Sequence, residues 1–434
     1  MDDKIVVGLD IGSTKVCVVA GRKNEYGKIE ILGMGKTPLE EGVVRAGVVT
    51  KIDRTAQAVQ QAMRDLQAGM EGEIRINAVN ANIGSTYIKG TLQRGGLTRR
   101  SAQAEIGVQD ISQLNDDMYQ TTPPLGSQVI HVMPQTYRVD DENGVKDPVG
   151  MLGVRLEADF YIINAQTNVL KNMEMCVQRL GLEVEQLVFA PLAASLATLL
   201  DDEKERGVVL VDVGGGTTDV VVYHEGIVRH IAVLPFGGEA ITRDIAHGCG
   251  VTKLQAEAMK TKYGMATPEA ASHQDRIEVP GLRDRLPTMV SMKTLSTIIE
   301  ARLSEIVEMV YAEIVRSGYE SRVRNVGIVL VGGTAMLGGI QDLFEDLTGM
   351  PTRIGYAHEH LGQSRTNEIK HPAFATSVGL VLAGFRALDA RENRYQQLKP
   401  AVQAKTDTTP RANGGIFGKL KTWLTDDTND SADY

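Results

Sequence analysis

The apolar positions of this chain follow one plan twice. Val208 to Val222 reads VVLVDVGGGTTDVVV, in which an apolar run ends in Asp212, passes through a glycine- and threonine-rich loop and resumes. Lys4 to Ala20, KIVVGLDIGSTKVCVVA, repeats the plan, with Asp10 ahead of a small polar loop and a second apolar segment from Val16. Continuous β-branched runs suit strands covered on both faces. The match extends further. Asn24 to Lys28 turns the first copy back into Ile29 to Leu32, and His224 to Gly226 turns the second into Ile227 to Val233. Both copies predict strand, loop, strand, turn, strand. Each is later followed by a helical pattern, Asp53 to Gln67 and Glu239 to His247. A meander recurring in this way implies a duplicated α/β domain with a cleft between its halves.

The intervening pattern differs. Ile83 to Tyr161 alternates polar and apolar segments around a strand at Gln128 to Val139 and reads as a small α/β insertion. Helices are expected at Asn168 to Leu180, Leu192 to Leu200, Lys253 to Lys262, Leu295 to Ser317, Gly339 to Leu347 and Ala373 to Leu388. Ala266 to Pro287 is polar and punctuated by Pro and Gly, and Val326 to Val331 is a buried strand ending in Gly332-Gly333. From Asp389 to Gly414 the apolar period fails and a flexible linker is expected. Ile416, Phe417, Leu420, Trp423 and Leu424 then share one helical face, with lysines opposite. A helix this short is marginal alone. A membrane surface would take its apolar face, and anionic lipid its lysines. Packing back on the globular part is the alternative. Asp426 to Tyr434 forms an acidic tail.

Composition narrows the function class. A chain of 434 residues suggests two to four domains, and 42% hydrophobic with 23% charged residues describes a soluble globular protein. A net charge of −9, without a basic arm, argues against a nucleic-acid partner. The three cysteines, Cys17, Cys176 and Cys249, are scattered and point to a reducing cytoplasm. The start lacks the pattern of a signal peptide, and no apolar run is expected to reach the ~20 residues of a bilayer span.

The loops carry the candidate chemistry. Glycines let backbone N–H groups approach a ligand, and hydroxyls beside them suit phosphate oxygens. Gly12, Ser13 and Thr14 would bind phosphate from one side, with Lys15 as a point charge, and Gly214, Gly215, Gly216, Thr217 and Thr218 from the other. Asp10 and Asp212 would hold Mg²⁺ through water. Gly332 and Gly333 would let adenosine lie on backbone, and Gly237 and Gly238 open a helix whose N-terminus attracts anions. Lys15 as a solvated surface residue and Asp10 as a loop cap are the plainer alternatives. There is no GxxxxGK[ST] and no GxGxxG ahead of a helix, so neither a Walker loop nor a dinucleotide site is expected.

The two loops and LVGGTAML (Leu330 to Leu337) resemble the actin, Hsp70 and sugar-kinase superfamily. Within it the chain is similar to the FtsA family of bacterial division proteins. GLDIGSTKV, HVMPQTYRVD, KDPVGMLGVRLEAD, FAPLAAS, DVGGGTTDVVVY, GIVLVGGTAML and TSVGLVLAG carry this resemblance. It implies an actin-like ATPase fold of two domains around a nucleotide cleft, ATP with Mg²⁺, and weak hydrolysis at most. The implied division is 1–82 with 162–195, an inserted subdomain at 83–161, 196–239 with 318–388, a subdomain at 240–317, a linker at 389–414 and a membrane-targeting helix at 415–425. It further implies adenosine contacts from Glu257 and Lys260, which an exposed ion pair would also explain. The C-terminal tail of FtsZ would bind at 240–317, where Arg302 either pairs with a tail carboxylate or pairs with Glu305 on its own helix. Filament formation and a place on the cytoplasmic side of the cell membrane, at the septum, complete the picture. The competing function is a small-molecule kinase using the same cleft, with Asp219 as its base. A chaperone-type ATPase would need a β-rich substrate domain that does not follow.

Overall fold

The repeated apolar pattern builds two five-stranded sheets of one design. In the first, Ile5–Ile11, Lys15–Lys23 and Ile29–Pro38 form an antiparallel meander, and Ala78–Ile83 and Glu183–Phe189 add on in parallel beside Ile5–Ile11. In the second, Val208–Val213, Thr218–His224 and Ile227–Leu234 form the meander, extended in parallel by Ile328–Val331 and Thr352–Ile354. The correspondence is residue for residue. Asp10 faces Cys17 across its hairpin as Asp212 faces Asp219, and the register slip after Ala20 recurs after Val222. A bulge retained at the same place in both copies bends both sheets alike.

This architecture comes from a computed structural model that describes residues 4–398, apart from 71–74, 102, 271–274, 282–286, 358–360, 363 and 365–367, with backbone only for 270 and 393–398. The amphipathic segment holding Ile416 to Leu424, the acidic tail and most of the expected linker lie outside the described residues. The chain divides into two units, residues 1–389 and 390–434.

Each meander is apolar throughout because both its faces are covered. Val7, Leu9 and Ile11 pack on helices Ile52–Ala68 and Thr167–Gln178, while Val6, Cys17 and Val19 meet helix Ala375–Leu398. In the second sheet, Val209, Val211 and Val213 share a core with helix Met292–Arg316, which buries Leu295, Ile299, Leu303, Ile306 and Val310 at helical spacing. Val208, Leu210 and Val221 pack with Phe189, Ala194 and Ile163 at the junction of the lobes.

The inserted sheet has the order Ile88–Thr98, Arg155–Gln166, Ser127–Val139, Glu142–Val145, and Leu114 and Met118 of helix Val108–Tyr119 share its core. Its last strand runs to Gln166, beyond the expected boundary at 161. Tyr161 and Ile163 of that strand pack with Val228 and Ile231 of Ile227–Leu234, the edge strand of the second sheet. The Ile231 N–H donates to Tyr161 Oη at 3.1 Å, and Arg229 donates to Gln135 Oε1 at 3.3 Å.

Four expectations are corrected. The closing helix, placed with 318–388 in the second lobe, packs its Val378, Val381 and Phe385 on the first sheet. It also continues to Leu398, into the segment read as linker. Pro372–Glu392 does have the length and apolarity of a bilayer span, but most of it is buried, as in a core helix. Finally, the polar stretch before Pro287 contains a strand, Arg276–Val279, that pairs with Thr288–Ser291.

Candidate functional site

The two hairpin loops close in the same way. Gly12 N–H donates to the Lys15 carbonyl and Gly214 N–H to the Thr217 carbonyl, each at 3.0 Å. They face each other in a cleft of about 820 Å³, within the range of small-molecule sites. A Cβ on Gly215 would lie 2.5 Å from Thr14 Cγ2, and one on Gly216 2.4 Å from Ser13 Oγ. Only glycine allows the loops to approach this closely.

The helix Gly238–Cys249 grips the second loop from behind. Gly238 N–H donates to Gly214 O at 2.9 Å and Glu239 N–H to Gly215 O at 2.8 Å. The expectation that this helix end attracts an anion is therefore corrected, because its first N–H groups are already bonded. The chemistry shifts to the loop. In a trans peptide the carbonyl and the following N–H point in opposite directions. Holding the Gly214 and Gly215 carbonyls against the helix turns the N–H groups of Gly215 and Gly216 away from it.

Three aspartates line the cleft. Asp10 accepts from Asn82 Nδ2 at 2.9 Å and from Ser377 Oγ at 3.1 Å, and Asp212 from Thr376 Oγ1 at 3.3 Å. Burial first, then the charge of Asp10, pushes the Asp212 carboxyl up to about 6. Burial also raises Asp10, against the pull of Lys15 and Ser377. Asp219 stands well above the ordinary carboxylate range, through burial and then Asp212, and its Oδ1 is buried without a partner. Crowded buried oxygens with an orphan among them suit a hard cation. Among the described residues no three His, Cys, Asp or Glu side chains form a chelating group, so Mg²⁺ would be held by Asp10 and Asp212 with water and ligand oxygens. Bound there, it would neutralise phosphate charge.

Of the sequence candidates, Gly12, Ser13, Thr14, Lys15, Gly214, Gly215, Gly216, Thr217, Gly238, Glu257, Lys260, Gly332 and Gly333 line the same cleft as Asp10 and Asp212. Lys15 donates to the Ala373 carbonyl at 2.8 Å and sits 3.9 Å from the Phe374 ring centroid, and burial lowers its pKa. Lys260 is buried rather than exposed. Its ammonium bonds Gly238 O at 2.9 Å, Thr242 Oγ1 at 2.8 Å and Glu257 Oε2 at 2.8 Å. Burial lowers its pKa and Glu257 opposes this. Gly332 has φ +91°, and a Cβ there would meet Asp212 Oδ1 at 2.4 Å, so the turn after Ile328–Val331 requires glycine.

Two nucleotide-binding candidates stand outside the lining. Thr218 is buried in its strand and donates to Phe236 O at 2.8 Å, and Gly237 packs behind the loop against Gly214 O. Arg302 lies elsewhere, on Met292–Arg316, donating to Asp244 Oδ2 and Glu305 Oε2 at 2.5 Å each. Sequence reasoning missed Asn82, Thr376 and Ser377. The only signal for Asn82 was a polar residue inside an apolar strand.

The family description "Cell division protein FtsA" matches residues 209–379, "SHS2 domain inserted in FTSA" matches 85–164, and "Hsp70 protein" matches 168–232. The cell division protein FtsA of Pseudomonas aeruginosa is 34% identical over 421 residues, covering 97% of each chain. The chain belongs to the FtsA family. As an FtsA-family protein it has an actin-like fold carrying the SHS2 insert, and its role lies in cell division. Solved structures agree on the fold. A chain of the PilM–PilN type IV pilus biogenesis complex superposes with a TM-score of 0.63 at 18% identity, covering 87% of this chain and 98% of its own. MreB5 of Spiroplasma citri bound to ADP gives 0.52 at 13% identity, covering 91% and 99%.

Proposed function

We propose that this FtsA-family protein binds ATP with Mg²⁺ in its cleft and holds FtsZ at the membrane during division. The observation that carries the reading is the pair of interlocking glycine loops, each preceded by an aspartate at the same position of its sheet. In MreB5, a structure of the same fold, ADP is bound. The phosphates would lie between Gly12–Lys15 and Gly214–Thr217, and the adenosine toward Glu257, Lys260 and Gly332-Gly333. Asp10 and Asp212 would hold the cation.

The partner roles follow from the family. The FtsZ C-terminal tail would dock on 240–317, where Arg302 must exchange Asp244 and Glu305 for a tail carboxylate. Ile416, Phe417, Leu420, Trp423 and Leu424 would enter the lipid on the cytoplasmic side, and copies would associate into filaments. Hydrolysis would be weak at most, with Asp219, whose carboxyl burial raises, as its candidate base. The same orphan carboxyl is the one feature that a small-molecule kinase would use as its base.

Liposome co-sedimentation with FtsZ separates adaptor from kinase. FtsZ is expected to pellet with lipid only when this chain and ATP are present, and Trp423→Glu to leave both in the supernatant. Recovery of FtsZ regardless of this chain would overturn the tether. An FtsZ tail peptide is expected to lose affinity for Arg302→Glu, and unchanged binding would remove that residue from the site.

A further inference from the structure

One turn of chain holds the charged groups of both lobes. The Pro372 carbonyl accepts the Gly332 N–H at 3.2 Å, and the Ala373 carbonyl accepts Lys15 Nζ at 2.8 Å. Thr376 Oγ1 donates to Asp212 Oδ2 at 3.3 Å, and Ser377 Oγ to Asp10 Oδ2 at 3.1 Å. Asp10 and Lys15 come from the first sheet, whereas Asp212 and Gly332 come from the second.

The two hydroxyls depart from the habit of buried hydroxyls in helices, which is to bond the carbonyl four residues back. Thr55, Thr198 and Thr348 all do so here. For Thr376 and Ser377 those carbonyls are Pro372 O and Ala373 O, which already accept from Gly332 and Lys15. Both side chains are buried and both turn to a carboxylate instead. Packing alone would be served as well by Val and Ala. A hydroxyl donor at each position fixes how its carboxylate is turned: Asp10 is held at Oδ1 by Asn82 and at Oδ2 by Ser377, and Asp212 at Oδ2 by Thr376.

We infer that Thr376 and Ser377 are positioning residues that set the Asp10 and Asp212 carboxylates, one from each lobe, for a divalent cation. This rests on the nucleotide reading above. Because the hydroxyls sit on adjacent residues of one turn, the spacing of the two carboxylates is set by a single rigid element.

The test is binding of a fluorescent ATP analogue to the full chain, measured in Mg²⁺ and again in EDTA, with thermal unfolding of each nucleotide-free variant alongside. Thr376→Val and Ser377→Ala are each expected to weaken binding about tenfold in Mg²⁺, as loss of a hydrogen bond to a charged group does. In EDTA the change should stay under about twofold, since the carboxylates then hold no cation. Thr376→Ser, which keeps the hydroxyl, is expected to bind like the unaltered chain in both media. Equal losses in Mg²⁺ and EDTA, no loss in either, or Thr376→Ser behaving like Thr376→Val would each overturn the inference. If the unaltered chain binds no nucleotide in Mg²⁺, the nucleotide reading falls and takes this inference with it. If only the variants depart from expectation, the inference falls alone.

Discussion

Asp212 shows how a single side chain is placed for a ligand at the expense of the fold. Its carboxyl is pushed up to about 6 by burial and by Asp10, so ionising it at neutral pH opposes folding. Asp212→Asn is therefore expected to raise the melting temperature of the nucleotide-free protein and to abolish the Mg²⁺ dependence of nucleotide binding. A lower melting temperature would contradict this account. His131 works in the opposite direction. Its Nε2 accepts the Phe189 N–H at 3.0 Å, and burial lowers its pKa to about 4. The folded state thus binds this proton later than the unfolded chain does, and the stability is complete above about pH 6.5 and lost as pH falls toward 4. Relative to His131→Gln, which offers an acceptor that does not titrate, the parent should lose about 2–3 kcal/mol across that window, read by chemical denaturation. Much at this scale was legible. The loop residues and both aspartates are local motifs, and the cleft gathers them as their spacing suggested. Asn82, Thr376 and Ser377 were not legible, because they meet Asp10 and Asp212 across separations that no local spacing encodes.

Among the elements, Met292–Arg316 was read directly from its apolar period, and Leu303 sits fully buried at its centre. Leu303→Ala should cost about 2–5 kcal/mol of unfolding free energy, and a loss below 1 would mean that the site collapses to fill the cavity. The loops answer to a different constraint. Gly216→Ala pushes a methyl group into Ser13 Oγ and should separate the loops, weakening binding of the ATP analogue while leaving the melting temperature nearly unchanged. The errors at this scale have physical causes. DARENRYQQL, Asp389 to Leu398, has no apolar face, yet Ala, Arg, Glu, Gln and Leu favour helix without one, so the closing helix runs on. Arg276–Val279 does alternate, but over four residues among Pro and Gly it gave too short a signal. Nor does order along the chain tell which sheet a returning helix covers. Gly8 and Gly21, whose added Cβ atoms would collide with Leu380 and Val381, mark the surface that receives it.

For the molecule as a whole, the duplication was visible in sequence and the register bears it out, including the shared bulge. Nucleotide that binds only the folded state should stabilise it by about 2.7 kcal/mol at a hundredfold excess over Kd, and a melting temperature indifferent to ATP and Mg²⁺ would count against the cleft as its site. What sequence could not supply was the seat of the insert. Ile227–Leu234 ends the second sheet, and the inserted sheet lies against it through Tyr161 and Gln135. A bare edge strand invites foreign strands to pair with it. The insert therefore acts as a guardian carried in the same chain. Cutting it out should produce not a smaller soluble actin-like protein but one whose exposed border recruits further copies into aggregates.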